Sequence, residues 1–233
     1  MEKYVGLASS YLNRELMGII MSEKVMKDKY IIDEYGQKRL KDVEFILPIC
    51  VGTVAWWQGK KASEHNTHKW TVYARGPNNE DLSYIIKKVT FELHETFASP
   101  RRTIEQQPFE VTEAGWGQFD IGITLHFTPD ARESEVTMYH MLKLYEDDGS
   151  PNTLKKPVVS ETYEELVFSE PHEDFYNRVS CHVPVPSTVL MSQAAWVPRH
   201  DETAELARLQ AARAKIANLA ASDVRRPLVD PMS

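Results

Sequence analysis

The chain has 233 residues, 42% of them hydrophobic and 26% charged, which supplies enough apolar material for a packed core. No run of 18 uninterrupted apolar residues occurs, so a membrane-spanning helix is excluded by length, and a soluble protein with no membrane partner is expected. The formal net charge of −7 argues against phosphate-backbone binding, hence against a direct nucleic-acid partner, and favours a basic one.

Cys50 and Cys181 stand far apart with no second Cys or His at ligand spacing. Neither a disulfide framework nor a zinc finger is implied, and a reducing compartment, cytosol or nucleus, is expected. Residues 1–40 read as an N-terminal extension of mixed charge, with a helix before the first strand. Its apolar tint is interrupted by Glu2, Arg14 and Glu15, so no secretory signal is expected and no function attaches to it.

From residue 43 onward the pattern becomes that of strands. Segments 43–56, 68–75, 85–94 and 158–168 are bounded by turn-forming clusters such as "RGPNNED" and "DDGSPN". Phe119, Ile121, Ile123, Leu125 and Phe127 alternate with Asp120, Gly122, Thr124 and His126, the period of a half-buried strand. Val136, Met138, His140, Leu142 and Leu144 repeat that pattern after the turn-rich "TPDARES", which predicts an antiparallel hairpin with His140 a buried or rim histidine beside a hydrogen-bond partner. Trp56 and Trp57 should point to opposite faces of their strand. Residues 98–113 are compatible with either an edge strand or a loop.

Six or more strands without crossover helices predict an all-β, immunoglobulin-like antiparallel sandwich over residues 41–170. Pro171, Pro184, Pro186 and Pro198 mark residues 171–200 as a linker or irregular arm. Residues 201–222 read as a short amphipathic helix carrying Leu206, Leu209, Ile216 and Leu219 along one side, with Arg213 close to that stripe. Such a helix is marginal as an isolated coiled coil and suits assembly onto a partner.

Three loop stretches concentrate unusual residues: "THKW" (67–70), "LHETF" (93–97) and "AGWGQF" (114–119). A hairpin puts the start of the His68 strand and the end of the His94 strand at one edge. Whether Trp116 joins them depends on the course of residues 98–113. A tryptophan is by default a core residue, but Gly115 and Gly117 open unusual backbone angles and leave room for a ligand to approach peptide N–H groups. His65, His68 and His94 lack a carboxylate or Cys to complete a metal site, so no metal or other cofactor is expected. No nucleophile–base pair or phosphate loop points to an enzyme.

At "THKWTVYARG", "VTFELHETFASPRR", "PFEVTEAGWGQFDIGI", "YHMLKLY" and "VVSETYEELVF" the sequence resembles the YEATS domain family, over about residues 43–170 and in one order. The resemblance implies an immunoglobulin-like sandwich that reads acylated lysine, acetyl or crotonyl, on histone tails. By that resemblance Phe97 and Trp116 are two walls of a slot lined by His68, His94 and Phe119. The Thr96 hydroxyl and the N–H groups near Trp116 and Gly117 would hold the acyl carbonyl. It further implies a nuclear, non-enzymatic subunit of a chromatin-remodelling or histone-acetyltransferase complex, docked through the C-terminal helix. Thr96 departs from the serine common in the family, and His65 is out of register with a frequent "HTH" pattern, so it carries no role. The alternative is an interaction scaffold without acyl-lysine binding.

Overall fold

A computed structural model describes residues 29–189, 191–200 and 202–223 of the chain. Ten strands appear in order: β1 Tyr30–Ile32, β2 Lys38–Leu40, β3 Glu44–Trp57, β4 His68–Arg75, β5 Ile86–Glu92, β6 Arg101–Ile104, β7 Phe109–Gly115, β8 Asp120–Phe127, β9 Val136–Met141 and β10 Val158–Ser169. Two helices follow, α1 Glu173–Ser180 and α2 Glu202–Asp223.

Eight strands form two four-stranded antiparallel sheets, β10-β3-β4-β7 and β6-β5-β8-β9. The period-two alternation explains how they stack. Ile49, Val51, Trp70 and Val72 face inward from the first sheet against Val89, Phe91, Ile121, Ile123 and Leu125 of the second. Of the buried and rim positions open to it, His140 takes the buried one, and its Nε2 lies 3.4 Å from Thr53 Oγ1 of the opposing sheet. The fold is thus the immunoglobulin-like β-sandwich with a C-terminal helix that the alternation indicates.

Residues 98–113, open in the sequence, contain two strands. β6 closes one sheet on β5, and β7 closes the other on β4, with Thr71 and Thr112 hydroxyls 2.8 Å apart across the pair. The short length of β6 and the polar exposed face of β7 kept them below the alternation threshold.

Two expectations are corrected. Residues 30–40 form a β1–β2 hairpin where a helix was expected, because Asp33 Oδ1 accepts from the Tyr35 and Gln37 N–H groups and Gly36 takes φ +76° to close the turn. The part of that expected helix in residues 1–28 lies outside the described residues. Most of the expected linker 171–200 also packs on the domain. Its apolar residues lie between the prolines at spacings too irregular to read, but they find complementary faces. Phe175 and Val179 of α1 are buried, with Phe175 5.1 Å from Phe168 ring to ring. Further on, Met191, Ala194 and Val197 cover Val54, Tyr73 and Trp56 on the outer face of the first sheet, where Trp196 meets Trp56 edge-on at 5.1 Å. The domain therefore runs to Val197, and residues from Pro198 form a second unit.

The same outer face carries a buried ion pair. Arg75 Nε and Nη2 donate to the two carboxylate oxygens of Glu161 at 2.9 and 2.8 Å, and the Tyr73 hydroxyl donates to Glu161 at 2.7 Å. Burial, reinforced by that carboxylate, pushes the nearby Cys50 thiol up to about 12.

In the second unit, α2 exposes Leu206, Leu209 and Ile216. The Leu219 side chain lies outside the described residues. Apolar character is spread around the helix by its many alanines, and Arg213 falls seven residues after Leu206 on the same stripe, so the segregation of faces is weaker than the leucine spacing alone suggests.

Candidate functional site

The β4–β7 register sets His68 opposite Gly115. Trp116 therefore leaves β7 at the sheet edge where β4 begins, and the turn after β5 reaches the same edge from the other sheet. That turn is closed by the Phe97 N–H donating to the His94 carbonyl at 3.0 Å, and His94 Nδ1 lies 3.0 Å from the Thr96 hydroxyl.

Arg102 fixes the turn from outside. Its guanidinium donates to the carbonyls of Ser99 and Ala98 and, at 2.8 Å, to Glu113 Oε1 of β7. It thereby ties the loop that carries Phe97 to the strand that carries Gly115. Sequence reading did not single out Arg102, and its position after Pro100 in "SPRR" was the only signal available.

These elements enclose a cavity of about 680 Å³ lined by His94, Thr96, Phe97, Trp116, Gly117 and Phe119. Trp116 is 62% exposed, which excludes the core role a tryptophan takes by default. The core tryptophan here is Trp70, 1% exposed, whose ring meets Phe97 edge-on at 5.7 Å and Phe119 at 5.9 Å. Phe97 and Phe119 lie 5.6 Å apart, and His94 stands 5.9 Å from Phe119. The result is a row of rings rooted in the core, with one exposed indole lining the same cavity.

His68 does not line the cavity, contrary to the expectation. It shares the inward parity of Trp70 and Val72 on β4, so it is buried beneath the edge, where Thr67 Oγ1 lies 2.9 Å from Nδ1 and Asn152 Nδ2 lies 2.7 Å from Nε2. Burial lowers its pKa, which keeps the imidazole neutral. His65, to which no role was given, does line the cavity, as does Gln118. His65 sits in an aperiodic loop that gave no sign of its direction, whereas Gln118 stood inside "AGWGQF" and was passed over for its aromatic neighbours.

Of the two reasons expected for the glycines, the unusual backbone angles are corrected. Positive φ occurs at Gly36, Gly59 and Gly149, not at Gly115 or Gly117. A Cβ at Gly117 would meet nothing within 4 Å, and one at Gly115 would meet only Trp70 Nε1 at 3.5 Å and Phe97 Cζ at 3.7 Å. What the missing side chain provides at Gly117 is open space over the peptide. Among the described residues the N–H groups of Trp116 and Gly117, both of which line the cavity, have no acceptor within the protein. Such a slot can hold a flat group between rings while donating to an oxygen at its edge.

Comparison with known proteins gives matches within one family. The YEATS family model matches residues 65–146. Transcription initiation factor TFIID subunit 14b of Arabidopsis thaliana is 53% identical over 160 residues, which cover 68% of this chain and 60% of that protein. This chain therefore spans less than two thirds of that relative's length. The Yaf9 YEATS domain, solved bound to H3K27ac, is 40% identical, with a TM-score of 0.55, and the match covers 62% of this chain and 99% of that domain. The same domain solved recognising an H3K122suc peptide is 42% identical, with a TM-score of 0.53 and coverages of 62% and 98%.

Proposed function

This chain belongs to the YEATS family, and on that premise we propose that it is a non-enzymatic reader of acylated lysine on histone tails, acting in the nucleus as a subunit of a chromatin-remodelling or histone-acetyltransferase complex. The observation that carries the reading is the exposed Trp116 indole lining a cavity of about 680 Å³ together with Phe97 and Phe119, where the Trp116 and Gly117 N–H groups have no acceptor among the described residues.

Acylation converts a strongly hydrated ammonium into a neutral planar amide with one acceptor and one donor. In this reading the amide plane lies between Phe97 and Trp116, with His94 and Phe119 lining the slot. Its carbonyl oxygen accepts from the Thr96 hydroxyl and from the Trp116 or Gly117 N–H. Unmodified lysine would lose its ammonium hydration in the same place with no acceptor to replace it, and that penalty is the source of selectivity.

Two finer assignments belong to the reading. The slot accepts crotonyl at least as well as acetyl, because a conjugated planar chain stacks over more of the two walls. Each added buried methylene contributes at most about 0.8 kcal/mol, so a few-fold preference is the expected scale. The helix α2, with Leu206, Leu209 and Ile216 exposed, docks the protein to its complex.

Titration with matched acetylated, crotonylated and unmodified histone H3 tail peptides tests the proposal. A reader binds the acylated peptides and rejects the unmodified one. Equal indifference to all three overturns it in favour of an interaction scaffold, and chemical change of a peptide overturns it in favour of an enzyme.

A further inference from the structure

The segment between β9 and β10 carries a side chain that reaches both ends of the Trp116 wall without touching the cavity. Asn152 Nδ2 donates to the Leu144 carbonyl at 3.1 Å and lies 2.7 Å from His68 Nε2. The direction of every bond in the chain follows from that one carbonyl. Leu144 O can only accept, so the NH2 side of the amide faces it, and the second N–H goes to His68 Nε2, which is therefore the unprotonated ring nitrogen. The ring proton then sits on Nδ1 and is donated to Thr67 Oγ1 at 2.9 Å, and the Thr67 hydroxyl donates in turn to the Gly115 carbonyl at 3.3 Å.

The other arm is shorter. The N–H of Leu144, whose carbonyl Asn152 holds, donates to Gln118 Oε1 at 2.7 Å. Gly115 and Gln118 bracket Trp116 and Gly117. One amide therefore holds the wall from both sides. The Asn152 Oδ1 atom is buried with no partner among the described residues, so the contacts given for this side chain are made by its Nδ2 donors. The Tyr145 ring packs against His68 in a T-shaped arrangement, ring centroids 5.3 Å apart.

We infer that Asn152 is a positioning residue of the acyl-lysine slot, acting through His68 and Thr67 on Gly115 and through Leu144 on Gln118. The inference rests on the reading of the slot given above. Its physical content is that an aperiodic loop remote in sequence fixes the indole wall and its donors before ligand arrives, which lowers the ordering penalty on binding.

The test uses the full chain with Asn152→Ala, Thr67→Val and the double variant. Backbone 15N order parameters without ligand are followed at residues 115–118, together with affinity for an acetylated H3 peptide. Asn152→Ala should take those amides from about 0.85 toward 0.6, the passage from rigid to flexible backbone. Affinity should fall roughly five- to tenfold, the scale of one net hydrogen bond. Because both single changes cut the same relay, the double variant should lose less than the product of the two single losses. A loop-stabilising role alone would leave the wall rigid and the two losses independent, and either result overturns the inference. If the wild type binds no acylated peptide, the functional reading fails, while the order parameters still decide whether the clamp exists. Should Asn152→Ala fail to fold, Thr67→Val, which keeps the side-chain shape, must still loosen the wall at Gly115, and a rigid wall there overturns the relay.

Discussion

Trp70 meets Phe97 edge-on, ring centroids 5.7 Å apart and planes at 84°, so one wall of the slot stands on a fully buried indole. The other wall, Trp116, has no such ring contact among the described residues and is 62% exposed. Substituting each tryptophan should therefore separate folding from binding. Trp116→Ala should melt close to the wild type and lose acyl-peptide binding, because an aromatic stacking partner contributes about 0.5–1.5 kcal/mol beyond its area. Trp70→Ala should destabilise the fold by about 3–5 kcal/mol through the cavity it leaves. Thermal melts paired with peptide titrations decide it, and a strongly destabilised Trp116→Ala would mean that the indole packs into the domain.

The two glycines make a finer probe. Alanine at Gly117 meets nothing within 4 Å, and alanine at Gly115 meets Trp70 and Phe97 at ordinary contact distance. With neither residue at positive φ, both variants should fold with stabilities within about 1 kcal/mol of the wild type, the span of a Gly-to-Ala backbone effect. A methyl on either residue intrudes on the space above the peptide, so peptide affinity should drop in both. Equal melting temperatures with weakened binding is the expected pattern. Unchanged binding would show that no ligand approaches this peptide.

What the sequence revealed followed from how regularly each residue obeys a period. Ile121, Ile123 and Leu125 alternate without a break, and the sandwich could be read from them. Trp116 stood out because glycines flank it, and the resemblance supplied its wall partner Phe97. Elements that depend on pairing geometry were hidden. The short β6 and the half-polar β7 become strands only through β5 and β4, and that same β4–β7 register is what brings Trp116 to the slot. His68 was misplaced because the resemblance said which residues gather at the edge but not which face each takes, whereas the parity shared with Trp70 would have turned it inward. Met191 and Trp196 lie among prolines with no period at all, and only the apolar outer face around Val54 and Tyr73 explains why they pack there. Asn152 offered no signal, since a lone asparagine in a loop is ordinary turn chemistry.

Two of the buried histidines, His68 and His140, make stability depend on pH. Burial lowers the pKa of His68 and, against smaller opposing effects from Ser160 and Glu161, that of His140. Below about 6.5 the unfolded chain takes up protons that the folded chain excludes at these sites. Stability is therefore full above that value and declines as pH falls below it, by at most about 1.4 kcal/mol per pH unit for each histidine. Denaturant midpoints measured between pH 7.5 and 5.5 should drop, and His140→Gln should flatten the slope. A flat profile in the wild type would mean that both imidazoles charge freely in the folded state.

Truncation separates the roles of the two units. Both apolar clusters of the domain are complete by Val197, with Met191, Ala194 and Val197 covering Val54 and Tyr73. Removing residues 201–233 should therefore leave the melting temperature and acyl-peptide affinity near the wild type, while abolishing co-purification with the complex if α2 is the docking element. A cut after Ser180 should behave differently. It strips the cover from the outer face of the first sheet, and each large apolar side chain returned to water forfeits about 1.5–3 kcal/mol. The shorter protein should melt lower or aggregate even though every residue lining the slot is retained. Intact stability after the Ser180 cut would show that residues 181–197 are the linker their prolines suggest. Normal assembly after loss of residues 201–233 would place the docking surface on the sandwich itself.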